Sequence, residues 1–343
     1  MRRSLLDVLA CPDCGDRPLA SSSPGDSVED GWLTCPSRHR TEIKEGVVWA
    51  LRPTDDITAQ LVENARERRG DLTPDEKRIY RQHISQIGCA TYNQLIRDNA
   101  RALLDELAVQ PGRSLDLGGG SGWLAAELAG RGFAAVSLDI ESPWDRNRQL
   151  EEGSAHRDFE LVTDLAPALD HVAVDFVVGD MHRTPFVDES FDLVTMSAAL
   201  HHAADPVATL REAARLLRPG GAVLCINEPV KGLFRDERPI MHGRGEEAGE
   251  HIYPARRYLG FFREAGLEPR LHFPGWVDQR LRRRQWEGVA YYRWLLPLAG
   301  ALWQLRPIRA IARGPMFRMG MELFGLTLIA SATRVRRGPD PPS

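Results

Sequence analysis

The sequence predicts an α/β protein, a doubly wound sheet preceded by a small cysteine-rich unit, and three observations carry that reading. Between residues 113 and 275, short apolar segments that end in an acid or a glycine alternate with segments of helical periodicity. Residues 113–122, Arg-Ser-Leu-Asp-Leu-Gly-Gly-Gly-Ser-Gly, run a buried strand through Gly118, Gly120 and Gly122 into the helical stretch that starts at Trp123. A strand that passes through glycines into a helix lets a ligand touch bare backbone, with the helix N–H groups facing it. Finally, Cys11, Cys14, Cys35 and His39 stand in metal-ligand spacing near the N-terminus.

Composition sets the limits. The 343 residues leave room for one large domain and a small one. Hydrophobic content of 43% and charged content of 27% are ordinary for a soluble globular protein. The net charge of −4 hides an asymmetry: residues 280–318 hold nine arginines and one acid, Glu287, a net +8, which leaves −12 on the rest. That acidic remainder argues against a broad phosphate-binding surface. Met1–Asp7 has basic residues but no apolar core of an export signal. The longest uncharged apolar run, Trp294 to Leu305, is 12 residues and contains Pro297, against the roughly 20 needed for a membrane span. Five cysteines, three of them clustered early, do not read as a disulfide framework. The expectation is a cytoplasmic protein, with peripheral membrane contact as an alternative through residues 280–318.

Residues 1–52 read as their own unit. Cys11-Pro-Asp-Cys14-Gly is a knuckle that brings two thiolates to one ion, and Cys35-Pro-Ser-Arg-His39 follows it. Three thiolates and one imidazole complete a tetrahedral zinc site of the closed, structural kind. The Ser-, Gly- and Asp-rich loop between them is too polar to build a core, so the metal supplies much of the folding free energy. The segment from Leu5 to Pro12 and the later Glu45-Gly46-Val47-Val48 resemble the Trm112-like zinc ribbons fused to some methyltransferases. The cysteine and histidine spacing is also that of the ribbon in a family of bacterial 23S rRNA guanine methyltransferases.

Residues 53–112 read as a helical cap. Thr73-Pro74 starts one helix, an apolar stripe from Leu95 to Leu107 marks another, and Pro111-Gly112 ends it. Tyr80, His83 and Tyr92 sit in this cap. The glycine turn then separates two ligand classes. The dinucleotide fingerprint requires its third glycine one place later, where this chain has Trp123, which argues against NAD or FAD. Asp116 two residues ahead of Gly118, with Gly120 and Gly122 following, resembles motif I of class I S-adenosylmethionine (SAM)-dependent methyltransferases of the type 11 group.

The remaining landmarks of that resemblance follow in order over about residues 90–275. Ala135–Asp139 is a strand that ends in an acid 17 residues beyond Gly122. A carboxylate there accepts both ribose hydroxyls, as in dinucleotide folds. Val174–Asp180 is a third strand; the resemblance implies that Asp180 contacts the adenine amino group and Met181 packs on the ring. The fourth strand, Phe191–Met196, leads to His201 and His202. Asp205-Pro206 caps a helix that ends at Arg218-Pro219-Gly220-Gly221, and a fifth strand, Ala222–Asn227, ends at Glu228. A helix from Tyr253 to Ala265, strand six (Leu267–Phe273) and an antiparallel strand seven (Phe324–Ala332) complete a seven-stranded, Rossmann-like domain over 113–343. The chain between Ile140 and Val172 is longer and more polar than usual for the resembled family.

Residues 277–323 form an insertion of arginines and aromatics, among them Trp286, Tyr291, Tyr292, Trp294 and Trp303. A lid over the substrate pocket, an interfacial helix on a membrane surface and an RNA-binding face are its three readings, with the lid preferred. Methyl transfer from a sulfonium is an in-line displacement in which the protein aligns the reactants and excludes water. His201 and His202 stand where a base would serve a hydroxyl acceptor, and Glu228 is the second candidate. The polar loop Lys231–Glu250, with His242, Glu246 and Glu247, and His251 after it are further substrate-side candidates, whereas His182 reads as structural. The expected function is SAM-dependent O- or N-methylation of a small-molecule acceptor, lipid-linked or sugar-bearing, with a structural Zn2+. An rRNA base methyltransferase and a non-catalytic SAM-fold subunit are the alternatives.

Overall fold

The computed structural model describes residues 1–52, 92–120, 122–142, 174–234, 251–283, 296–325 and 327–334. The chain opens with four short strands, β1 (Ala20–Ser21), β2 (Gly31–Thr34), β3 (Arg40–Lys44) and β4 (Val47–Trp49), each antiparallel to the next. Helix α1 (Tyr92–Leu107) leads to β5 (Arg113–Leu117), α2 (Trp123–Gly130), β6 (Ala134–Asp139), β7 (Val174–Val178) and β8 (Phe191–Ser197). Then come α3 (Pro206–Leu216), β9 (Leu217–Glu228), α4 (Ala255–Glu264) and β10 (Leu267–Leu271). Helices α5 (Gly275–Arg283), α6 (Leu296–Trp303), α7 (Arg306–Ile311) and α8 (Phe317–Phe324) precede β11 (Leu328–Arg334).

One mixed sheet holds these strands in the order β1-β2-β3-β4-β7-β6-β5-β8-β9-β11-β10. Strands β4 to β9 in that row run parallel, and β11 lies antiparallel between β9 and the edge strand β10. Parallel strands at a sheet centre are covered on both faces and read as near-continuous apolar runs. β5 is covered in this way, with Ser114, Leu115, Asp116 and Leu117 all buried, although Ser114 and Asp116 are polar. Among the helices, α3 shows its origin best. Asp205 accepts from the N–H groups of Val207 and Ala208 at 2.9 and 3.0 Å, and Pro206 opens the first turn.

One expectation is extended and two need correction. The sheet has eleven strands among the described residues, because four from the N-terminal unit join the seven of residues 113–334. The additions are strands of two to five residues, too short to show a countable period. Strand β9 begins at Leu217, so Arg218-Pro219-Gly220-Gly221 lies within the strand rather than in a separate turn. The last strand starts at Leu328, not Phe324, because α8 runs to Phe324 and is closed by Gly325 at φ +64°.

Residues 1–52 also share the sheet and core of the following residues. β4 adds itself parallel to β7, pairing Val47 with Phe176 and Trp49 with Val178. The Arg2 guanidinium meets the buried Asp175 carboxylate at 3.0 Å, and its backbone N–H reaches the same group at 2.6 Å. Leu5, Leu9, Leu33 and Val48 share one buried core with Val136, Val177 and Phe186. Thr73-Pro74, Tyr80, His83, residues 143–173, the loop from 235 to 250, and Arg284, Trp286, Tyr291, Tyr292 and Trp294 lie outside the described residues. Among the described residues no helix is long and apolar enough to cross a membrane.

Candidate active site

The carboxyl ends of β5, β6, β7, β8 and β9 gather the residues that the sequence singles out. Gly118, Gly120 and Gly122 take φ values of +64°, +54° and +78°, a region that side chains rarely adopt. A Cβ on Gly118 would lie 2.7 Å from the Ala199 methyl, so the turn also touches the loop after β8. The Gly118 and Gly119 N–H groups donate to the Leu138 carbonyl at 2.8 and 3.1 Å, which fixes the turn to β6. Helix α2 starts without a side-chain cap, so its first N–H groups suit an incoming ligand.

Asp116 is buried in the centre of this arrangement and accepts a 2.7 Å hydrogen bond from the Thr195 hydroxyl. Burial pushes its carboxyl up to about 7, the nearby Asp139 charge adds to the rise, and the Thr195 bond offsets part of it. Asp139 closes β6. One of its oxygens accepts from the Gly120 N–H at 2.8 Å and the other from the Glu141 N–H at 3.2 Å. Each carboxylate oxygen carries two lone pairs, so capacity for two hydroxyl donors remains.

Asp180 follows β7 and is 3% exposed. It accepts from the His182 backbone N–H at 2.8 Å and lies 2.6 Å from His182 Nδ1. The Asp205 N–H donates to His182 Nε2 at 3.2 Å, so Nε2 is the acceptor and Nδ1 carries the proton. His182 therefore brackets Asp180 to the start of α3. Met181 is half-buried and packs on the main core.

The loop after β8 is held from below. Glu228, fully buried at the end of β9, accepts from the backbone N–H groups of Ala199, Leu200 and His201 at 2.9, 2.9 and 3.1 Å. It also lies 2.8 Å from His201 Nδ1. Burial pushes the Glu228 carboxyl up, but His201 and the backbone donors outweigh that and hold it below its ordinary value. An ionised Glu228 makes His201 Nδ1 the protonated nitrogen and leaves the Nε2 lone pair free to accept. His202 is exposed, with its ring centre 4.0 Å from that of His201. Of the three residues expected to act as bases, the structure thus gives Glu228 a positioning geometry and puts His201, rather than His202, in the pair.

Four participants escaped the sequence reading. Ala198 and Asn227 adopt φ +51° and +64° at the ends of β8 and β9. Asparagine before a strand-end acid is a readable signal of such a backbone; alanine is not. Asn99 of α1 donates to the Asn227 side chain at 2.9 Å, and Asn227 donates to the Ile96 carbonyl at 3.2 Å. Arg97 is buried with its guanidinium carbon 5.2 Å from the Trp123 ring centre, and burial above all lowers its value to about 10. Polar residues inside an apolar helical stripe were the available sign.

A second cluster lies in the N-terminal unit. The Cys11, Cys14 and Cys35 sulfurs and a His39 nitrogen all fall within 4.8 Å of one another. Cys14–Cys35 measures 3.7 Å, Cys11–His39 3.8 Å and Cys35–His39 3.6 Å. A tetrahedron with metal–sulfur bonds of about 2.3 Å has edges of roughly 3.8 Å, so the donor set fits one ion. Left-handed Gly15 and Arg38, at φ +77° and +65°, turn the two knuckles towards it.

A glycine turn and strand-end acids on a sheet of this order define a nucleoside-binding enzyme of the SAM-dependent methyltransferase class. Residues 115–225 match the family described as "Methyltransferase domain". The demethylmenaquinone methyltransferase of Beutenbergia cavernae is 40% identical over 125 residues, 36% of this chain and 44% of that protein. The ubiquinone/menaquinone biosynthesis C-methyltransferase UbiE of a Ruegeria species is 34% identical over 129 residues, 36% of this chain and 46% of that protein. This chain thus spans less than half the length of these two relatives. The demethylmenaquinone methyltransferase of Mycobacterium sp. (strain KMS) is 31% identical over 188 residues, 51% of this chain and 73% of that protein. The chain belongs to this family of SAM-dependent methyltransferases.

Proposed function

We propose that this protein transfers a methyl group from SAM to a small aromatic acceptor that bears a hydroxyl group, of the quinol class that the names of its relatives indicate. The observation that carries the reading is the His201–Glu228 pair, held 2.8 Å apart on a loop that touches the glycine turn. SAM supplies the methyl group as a sulfonium that becomes neutral on transfer. In this reading Asp139 takes the ribose hydroxyls, Asp180 the adenine amino group and Met181 the ring face. Asp116 and the N–H groups at the start of α2 shape the amino-acid end of the pocket.

Glu228 holds His201 in the tautomer whose Nε2 accepts, and Nε2 takes the acceptor's hydroxyl proton as the bond to the methyl forms. Removing that proton raises the electron density on the oxygen and on the ring carbon conjugated with it. The same pair serves oxygen methylation, or carbon methylation when the methylated ring carbon then loses its proton and the protonated His201 returns one to the oxygen, and the relative named a C-methyltransferase favours carbon over the O- or N-methylation expected from sequence. The four-ligand cluster at Cys11, Cys14, Cys35 and His39 is proposed to hold a structural Zn2+. It offers no open position for substrate in a closed tetrahedral set.

The test is transfer of label from SAM to reduced demethylated quinone, to rRNA and to phenolic metabolites in parallel. The reading expects the label in the quinol and a loss of about 100-fold or more in kcat for His201→Gln, with SAM affinity unchanged. Label in rRNA alone would overturn it.

A further inference from the structure

Among the described residues the exposed large apolar side chains gather in two stretches of the chain. There are ten, and nine of them lie in the segments 233–234 and 298–324. On α6, Leu298 and Leu302, with Leu305 just beyond, repeat every three to four residues and form one stripe. Ile311 at the end of α7, Met316 just before α8 and Met319 on α8 are exposed as well. Between Ile311 and Met316 the chain kinks at Gly314 (φ −105°, ψ −105°), just before Pro315. Phe317 and Met321 occupy the opposite side of α8 and are buried, Phe317 against the Phe273 ring at 5.0 Å. The exposed side chains of α8 thus point away from the core that holds Phe317 and Met321.

The patch reaches the rim of the candidate active site. Leu233 and Phe234 donate backbone hydrogen bonds to the carbonyls of Glu322 and Leu323, both at 2.8 Å, and the rings of Phe234 and Phe324 lie 6.0 Å apart. Leu233 and Phe234 are 75% and 70% exposed. They follow β9 and its Glu228 after four intervening residues, and β11 starts opposite Glu228.

Charge completes the surface. Residues 296–324 contain four arginines and a single acid, Glu322, which already pairs with Arg256 at 3.1 Å. α4, β10 and α8 line an open cavity of about 460 Å³ that has Arg256, Arg263, Arg270 and Arg318 on its walls with the single acid Glu322, beside the apolar Leu259, Leu271 and Met321. Arg263 and Arg318 have no ion-pair partner among the described residues. An apolar stripe bordered by arginines, with a cationic cavity against α8, matches the acyl boundary and headgroups of an anionic bilayer. A second copy fits less well, because an isologous contact would set the arginines of the two stripes against each other.

We infer that the face built from α6, α7, α8 and the Leu233–Phe234 loop docks on an anionic lipid bilayer, with the Arg263–Arg318 cavity taking a phosphate-bearing headgroup. Only the purpose of the docking, delivery of a lipid-phase acceptor to the rim at Glu228, rests on the function proposed above. The docking is read by sedimentation of the full chain with vesicles, without turnover, so a failure of methyl transfer and a failure of docking are separate results. Vesicles of equal parts phosphatidylcholine and phosphatidylglycerol are expected to carry the protein down in a salt-sensitive manner, and pure phosphatidylcholine vesicles far less. The pair Met316→Ser with Met319→Ser, and the pair Arg263→Ser with Arg318→Ser, are each expected to weaken this about tenfold or more. All of these positions are on the surface or in an open cavity, and an unchanged circular dichroism spectrum and SAM affinity certify the fold of each variant. No sedimentation of the wild type, equal sedimentation with both vesicle types, or a solution dimer that Met319→Ser dissociates would overturn the inference.

Discussion

At the scale of single residues, the most consequential feature is a carboxyl placed where water cannot reach it. Asp116 holds one hydrogen bond, from Thr195, and burial puts its pKa at about 7 against the ordinary 3.8. A folded-state value raised above the unfolded one means that the folded protein binds the extra proton. The unliganded protein is therefore expected to lose stability as pH rises from about 4 to about 7, and to keep that deficit above it. Each unit is worth about 1.4 kcal/mol, so the contribution is at most roughly 4 kcal/mol. Asp116→Asn should flatten the dependence. Urea midpoints of wild type and variant at the two ends of the window check this, and equal slopes would remove Asp116 as the cause. The neighbouring cation of bound SAM would favour the ionised form, so the same group links ligand affinity to pH.

At the scale of elements, function depends on strand ends that hold their neighbours. The end of β6 holds the glycine turn through Asp139 and Gly120 at 2.8 Å, and the end of β9 holds the loop Ala199–His201 through Glu228. Asp139→Ala removes a turn contact and, in the proposed role, two ribose bonds at once. Charge-assisted bonds of about 1.5–3 kcal/mol that do not simply add suggest a loss of roughly 2–4 kcal/mol in SAM affinity. Isothermal titration calorimetry reads it directly, and an unchanged affinity would take Asp139 out of the pocket. The loop at β9 illustrates a different limit on sequence reading. A carboxylate at a strand end looks like a base, yet three backbone N–H groups and an imidazole already occupy it.

At the scale of the whole molecule, the N-terminal unit is part of the sheet. The expectation of an independent ribbon made its metal a local matter, whose removal would unfold residues 1–52 alone. With β4 paired to β7, Arg2 bound to Asp175 and one core on both sides, removal of the proposed zinc is expected to be felt at this edge of the sheet. Metal analysis should find one zinc per chain. A chelator should lower the midpoint of the main thermal transition rather than split off a separate one, as calorimetry would register. Two well-resolved transitions would restore the independent ribbon.

What the sequence by itself determined was local chemistry in its order along the chain. Glycines at left-handed positions, acids at strand ends, an Asp-Pro helix start and cysteines at knuckle spacing each declare themselves within a few residues, because backbone geometry and metal reach operate at that range. Hence the turn at Gly118, Gly120 and Gly122, the strand-end positions of Asp139 and Asp180, and the clustering of Cys11, Cys14, Cys35 and His39 were legible. Pairing and exposure were decided only by the tertiary structure. Arg2 meets Asp175 across 173 positions, Glu228 meets His201 across 27, and Asn99 meets Asn227 across 128. No local period marks such partners. Nor does a helical stripe of Leu, Ile and Met tell whether a core covers it: α1 buries Ile96, Leu103 and Leu104, whereas the chain from α7 to α8 leaves Ile311, Met316 and Met319 in the open. The physical reason is that burial belongs to the facing surface, and the sequence of a helix contains only one of the two.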